Sequence, residues 1–219
     1  MAKRPNKTIS IHSSDTKSKL MIREWLIKEL GGIEKLNVLE LFGGAGLMYE
    51  SLYTKCKKHM AFDLLHVDRP TWIRGDNRML LATRAQGWDL YDLDAFSNPW
   101  LLANDICRLR EDGVFGMAMT CCASRSFQCG GVIPYMRRVS GINQLDTSHN
   151  SLLYRWYFDV IEEVMRDWSK WGVTIKQAKY MHSQNARYTN YYAVVVEKKT
   201  VDVMSTPKLG KIVIKKAKA

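Results

Sequence analysis

The chain has 219 residues, 46% of them hydrophobic and 25% charged, which suffices for one domain (residues 1–219) with a buried core and leaves little room for a second. Lysine and arginine number 33 against 22 acids, so the net charge is +11 and the pI near 9.4, a balance that favours a polyanionic partner, most simply nucleic acid. No apolar run reaches the ~20 residues of a membrane span, the N-terminus lacks a signal peptide's apolar core, and the cysteines (56, 107, 121, 122, 129) show no Cys-x-x-Cys spacing, so a cytoplasmic protein without membrane contact or structural metal is expected.

Residues 1–13 and 206–219 read as flexible tails, the second rich in lysine. Ser14-Asp15 offers a helix N-cap, Leu20, Ile22, Trp25, Leu26 and Leu30 follow at helical spacing, and Gly31-Gly32 stops the run. Asn37 to Leu41 is an apolar strand entering a glycine turn, with a helix from about Ala45 to Tyr53. Lys58 to Asp63 and Thr71 to Ile73 are short strands, and Asn77 to Ala85 a helix ended by Gly87. Trp88 to Asp94 is the fourth strand, Pro99 to about Leu109 a helix, and Val114 to Thr120 a strand buried on both faces by its unbroken small and apolar character. After a loop over 121–148, a long amphipathic helix is expected from about Asn150 to Lys170, then two closing strands, Val173 to Tyr180 and Tyr191 to Glu197. This alternation predicts an α/β fold: a mostly parallel seven-stranded sheet with helices on both faces and an antiparallel edge hairpin.

The glycine turn, Glu40-Leu41-Phe42-Gly43-Gly44-Ala45-Gly46, lets backbone lie against a bound cofactor. It does not spell the dinucleotide pattern G-x-G-x-x-G, because position 49 is Tyr. Glu40 stands at the strand's C-terminal end, where open α/β sheets bind ligands; a carboxylate there suits a cationic ammonium better than a pyrophosphate, which favours S-adenosylmethionine (AdoMet). Asp63 ends the second strand 17 residues after Gly46, close to the ~20 expected of a ribose-binding acid. Asp76 and Asn77, beyond the third strand, could hydrogen-bond an adenine amino group. Each acid alone also suits a helix N-cap; three at successive strand ends argue for a cofactor site.

Asp92-Leu93-Asp94-Ala95-Phe96-Ser97-Asn98-Pro99-Trp100 follows where the crevice should open. Acids at i and i+2 on a strand share a face, and like-charge repulsion would let one titrate high and accept a proton. Phe96 could stack on an unpaired base while Ser97 or Asn98 bonds its edge; the same residues also suit a helix start, with Ser97 as N-cap. Methyl transfer to an exocyclic amine needs an in-line lone pair and an acceptor for the amine hydrogens, which a carboxylate supplies.

This stretch resembles the D-L-D-P-[FY]-G-S-P motif of the tRNA guanine-N2 dimethyltransferase family, matching at both acids, the aromatic and the final proline; Ala95 replaces the first proline and Ser97-Asn98 replace Gly-Ser. The resemblance extends to the strand over 113–120 and the tract through Cys129-Gly130, and covers roughly residues 15–200. It implies a Rossmann-fold AdoMet-dependent RNA methyltransferase in which Asp94 is catalytic, Phe96 lies beside the target base, and Glu40, Asp63 and Asp76 contact the cofactor. That family's additional C-terminal domain has no counterpart here, and Asn98-Pro99-Trp100 is also similar to the [DNS]-P-P-[YFW] motif of DNA amino-methyltransferases, so RNA is favoured over DNA without excluding it. A compact enzyme of this kind would suit a phage or mobile element.

Arg125, Phe127, Tyr135, Arg137 and Arg138 mix guanidinium and aromatic groups in the long loop, a composition fit for phosphate and base contact as well as for an ordinary basic surface. Cys121-Cys122 at a buried strand end read as packing rather than as a nucleophile, and the histidines (12, 59, 66, 149, 182) form no ligand pair. Two rival readings remain: a methyltransferase for a small molecule or protein, and a non-catalytic nucleic-acid-binding protein on the same scaffold.

Overall fold

The computed structural model describes residues 13–64, 69–95, 99–121, 166–183 and 189–200. Its elements, in chain order, are helix α1 (Ser13–Glu29), a short 3-10 turn (Ile33–Lys35), β1 (Asn37–Glu40), a π-helical turn (Tyr49–Tyr53), β2 (Lys58–Asp63), β3 (Trp72–Arg74), α2 (Asn77–Arg84), β4 (Leu90–Leu93), α3 (Trp100–Leu109), β5 (Gly113–Cys121), β6 (Val173–His182) and β7 (Asn190–Lys198). The seven strands form one sheet in the order β3-β2-β1-β4-β5-β7-β6. β1 pairs in parallel with both β2 and β4, so the chain builds outward on one side of β1 and returns to build on the other. That reversal opens a crevice beyond the carboxyl ends of β1 and β4, the usual ligand position in such sheets. In register, Glu40 lies opposite Ala61 on one side and Asp92 on the other.

The expected edge hairpin is present, but β7 is an inner strand: it runs antiparallel to both β5 and β6, leaving β6 at the edge. Strand alternation divides the core in two. Leu39, Leu41, Tyr91, Leu93, Phe115 and Met117 face α2, α3 and Trp168, while Val38, Leu90, Ala118, Ala193 and Val195 face α1 and the π-helical turn. Helix α1 packs across β5, β6 and β7. It comes so close that a Cβ on Gly116 would lie 2.8 Å from Leu30 Cδ1 and 2.9 Å from Leu26 Cδ1, which explains a glycine inside a central strand.

Two expectations change. Helix α1 starts at Ser13, ahead of the expected cap at Ser14-Asp15. The segment after β1 is a turn through Gly46 and becomes helical only beyond it, because Gly44 (φ 52°) and Gly46 (φ 88°) take left-handed conformations that a right-handed helix excludes. Of the long helix expected over 150–170, only a turn over 166–169 lies within the described residues, and there Trp168 is fully buried with its indole N–H donated to Asn104 Oδ1 at 2.7 Å. Among the described residues, no helix is long and apolar enough to cross a membrane.

Candidate active site

The strand-end acids gather on one face of the sheet. Glu40 alternates with Val38, Asp92 with Leu90, and Asp94 follows Asp92 by two, so all three point toward α1 and the π-helical turn. His59, on the neighbouring β2, reaches Glu40 from the same side, and Asp63 lies two further pleats along that strand.

At the end of β1 the glycine turn is tied to both neighbours. Leu41 N donates to Asp92 O at 2.8 Å and Gly43 N to Phe62 O at 3.1 Å. Gly43 packs so tightly that a Cβ there would lie 2.9 Å from Ala61 Cβ, and Phe42 leans on the larger core. Asp63 Oδ2 accepts from Gly44 N at 2.9 Å, which places the carboxylate at the lip of the turn. Glu40 is buried, and its Oε2 lies 2.7 Å from His59 Nε2; His59 Nδ1 is 3.1 Å from Thr71 Oγ1. Tyr49, one turn before Tyr53 on the π-helical turn, packs against the imidazole with ring centres 4.5 Å apart and planes tilted by 46°. Burial pushes the Glu40 carboxyl well above the usual carboxylate range, and nearby Asp92 adds to the effect. Burial, with Arg69 nearby, lowers His59 to about 4. Burial thus disfavours the charged form of both groups, which face each other across the 2.7 Å Oε2–Nε2 contact.

The end of β4 is built in the opposite way. Arg23 is fully buried and grips Asp92 with two hydrogen bonds, Nε to Oδ2 and Nη2 to Oδ1, each 2.6 Å. Tyr53 donates its hydroxyl to the same Oδ2 at 2.6 Å, and Arg23 Nη1 donates to Lys19 O at 3.1 Å. Two residues on, Asp94 Oδ2 meets Lys19 Nζ at 2.8 Å, while its Oδ1 lies 3.8 Å from Arg23 Nη2. The pair expected to repel and raise one member is thus neutralised by helix α1. Burial works to raise the Asp94 carboxyl, but the Lys19 ammonium and Arg23 guanidinium outweigh it and hold Asp94 below its usual range. Asp92, 1% exposed and bonded by three donors, is a structural anchor beyond a substrate's reach, which corrects its expected catalytic role. Asp94, 20% exposed, keeps access to the crevice.

Beyond β3, Asp76 Oδ1 accepts from Arg78 N at 2.9 Å and Met79 N at 3.2 Å, so this acid is the N-cap of α2. Asn77 beside it holds an Oδ1 shielded from solvent that accepts no hydrogen bond. Cys121 is fully buried at the end of β5 within the larger core cluster, in keeping with packing. Phe96, Ser97 and Asn98, and Arg125, Phe127, Arg137 and Arg138, lie outside the described residues. The sequence reading missed Lys19, Arg23, Tyr53 and His59. A signal existed for the first two: positions 19 and 23 interleave at helical spacing with the apolar Ile22 and Leu26, and a charge on an apolar stripe marks a buried ion pair.

Sheet order, glycine turn and clustered strand-end acids together define the Rossmann-like methyltransferase fold. The N-methyltransferase NodS from Bradyrhizobium japonicum, solved with S-adenosyl-L-homocysteine, superposes with a TM-score of 0.54 at 12% identity, over 90% of this chain and 94% of that one. Trm1 from Pyrococcus horikoshii, solved with S-adenosyl-L-methionine, gives 0.51 at 13% identity over 84% of this chain and 55% of its own. A Lactococcus lactis protein described as a candidate hemolysin gives 0.53 at 13% over 84% of this chain and 88% of that one. No protein-family model and no curated protein sequence matches the chain.

Proposed function

We propose that the protein is an AdoMet-dependent methyltransferase acting on an exocyclic amine of a nucleic-acid base, RNA ahead of DNA. One observation carries the reading: the acids of three adjacent strands, Glu40, Asp63 and Asp94, surround the crevice at the topological switch, beside a turn whose Gly44 and Gly46 leave the backbone bare. Two structural neighbours were solved with AdoMet or its demethylated product, which supports the cofactor assignment.

The residues fit such a ligand. In this reading Asp63, whose Oδ2 accepts from Gly44 N, takes the ribose hydroxyls, and Asn77 the adenine amine. Burial raises the Glu40 carboxyl, and an ammonium group beside it would favour the carboxylate form. Bound AdoMet supplies an electrophilic methyl on a cationic sulfur. Asp94, 20% exposed and held below its usual range by Lys19 and Arg23, accepts a hydrogen bond from the target amine and turns its lone pair toward that methyl. Phe96 is the base-stacking partner in this reading, with Ser97 and Asn98 on the base edge and the loop arginines on phosphates. The charge of +11 supports a polyanionic substrate.

Incubation with methyl-labelled AdoMet and total RNA or DNA, followed by nucleoside analysis, tests the reading. A labelled N-methyl base is expected. Asp94→Ala should bind AdoMet normally and lose about 100-fold or more of transfer. AdoMet binding with no label in either polymer would instead favour a small-molecule enzyme or a non-catalytic binder.

A further inference from the structure

Two cations on α1 face two carboxylates at the end of β4. Lys19 and Arg23 are one helical turn apart, about 6 Å along the axis. Asp92 and Asp94 are two residues apart on an extended chain, about 6.6 Å. The spacings match, and the contacts follow as two rungs: Arg23 with Asp92, Lys19 with Asp94. The inner rung is sealed, with both side chains at most 1% exposed. The outer rung opens to the crevice, with Lys19 and Asp94 at 25% and 20%.

We infer that Lys19 is a positioning residue for the methyl transfer proposed above: its ammonium holds Asp94 Oδ2 and fixes the rotation of the carboxylate that the target amine meets. The inference rests on that reading of the site, but the ladder itself is a property of the fold. Lys19 holds Asp94 Oδ2 at 2.8 Å, whereas Oδ1 is shielded from solvent and turned inward, 3.8 Å from Arg23 Nη2 and with the Thr120 hydroxyl close by. The rung cannot drift, because Arg23 ties α1 to Asp92 through two bonds and returns a third to Lys19 O. The charged and titratable groups around Asp94 are Lys19 and Arg23 from α1, Asp92 from β4, Glu40 from β1 and Tyr53 from the π-helical turn. Removing Lys19 strips the nearest cation and leaves two acids close by, so Asp94 would hold its proton to higher pH and offer the amine a donor where an acceptor is needed.

The test compares wild type, Lys19→Met and Lys19→Arg as full chains. The Asp94 carboxyl is followed by carbon-13 NMR, assigned with Asp94→Asn, and label transfer from AdoMet to total RNA is followed across pH. Lys19→Met should raise the Asp94 midpoint and carry the acid limb of the transfer profile upward with it, transfer falling about tenfold for each pH unit below the midpoint. Lys19→Arg should restore both. An unmoved Asp94 midpoint overturns the inference, and so does a raised midpoint with an unchanged transfer profile. Failure of wild type to methylate RNA or DNA while the midpoint still moves would overturn the methyltransferase reading and leave the Lys19–Asp94 coupling intact.

Discussion

Glu40 and Asp92 sit opposite each other on adjacent strands, both all but buried, both on the same face of the sheet, yet the chain solves the burial of a carboxylate differently at each. At β1 burial raises the acid, which faces an imidazole that burial lowers. At β4 the acid is matched by a guanidinium and a tyrosine hydroxyl. Among the described residues no cation bonds the first acid, whereas the second is bonded directly by a guanidinium. The difference separates a place where a charged ligand can arrive from a place where geometry must not change.

The sharpest way to break the contrast is to remove the built-in cation. Arg23→Met leaves Asp92 buried and unmatched, and should cost about 3–5 kcal/mol of stability, read from the denaturant midpoint. The double variant Arg23→Met/Asp92→Leu should recover much of that loss, since an apolar pair of similar volume replaces an ion pair at little net cost. No recovery would mean that the pair holds α1 in place by more than charge.

A smaller effect is expected at the neutral site. Glu40→Gln imitates the protonated acid, so the fold should survive. The sign follows from the raised Glu40 value: its stabilising effect is present below the ordinary carboxylate range and lost as pH rises, so the glutamine variant should be at least as stable as wild type at neutral pH. AdoMet affinity should nonetheless fall by about 10- to 100-fold, the worth of one charge-assisted contact. Wild type should also release a proton on binding AdoMet, seen by calorimetry in buffers of different ionisation enthalpy, and the variant should not. The smallest effect is on acid stability. His59 is lowered to about 4 from an ordinary 6.5, so wild type should lose stability as pH falls between those values, when only the unfolded chain takes up the proton. His59→Gln should flatten that part of the curve.

Strand ends were legible because period and punctuation mark them: Glu40, Asp63 and Asp94 each close an apolar run. Two-residue alternation also put Asp92 and Asp94 on one face, and the structure agrees. What alternation cannot state is the partner. Arg23 lies 69 residues from Asp92 and Lys19 lies 75 from Asp94, and only the packing of α1 across the sheet joins them. Without those cations, repulsion between the two acids is the natural inference; with them, its sign reverses. His59 was hidden for a related reason, since the β1–β2 register that brings it to Glu40 is a fact of tertiary pairing. Asp76 carries the N-cap that the sequence also allowed: an acid after a strand is also an acid before a helix, and two backbone N–H groups of α2 bond its Oδ1.

The position of β7 between β5 and β6 bears on how the molecule is made. β5, at residues 113–121, has no outer hydrogen-bonding neighbour until residues 190–198 exist, so its edge stays bare while some seventy residues are synthesised. At about 5–20 residues per second that interval lasts several seconds, during which an apolar edge is open to wrong pairing on the ribosome. The half of the sheet carrying the glycine turn can assemble early from β1 to β4, whereas the half that anchors α1 waits for the last strand. Maturation of the Arg23 and Lys19 contacts is thereby a late event in biosynthesis, and a nascent chain halted before β7 would carry the crevice without its ladder.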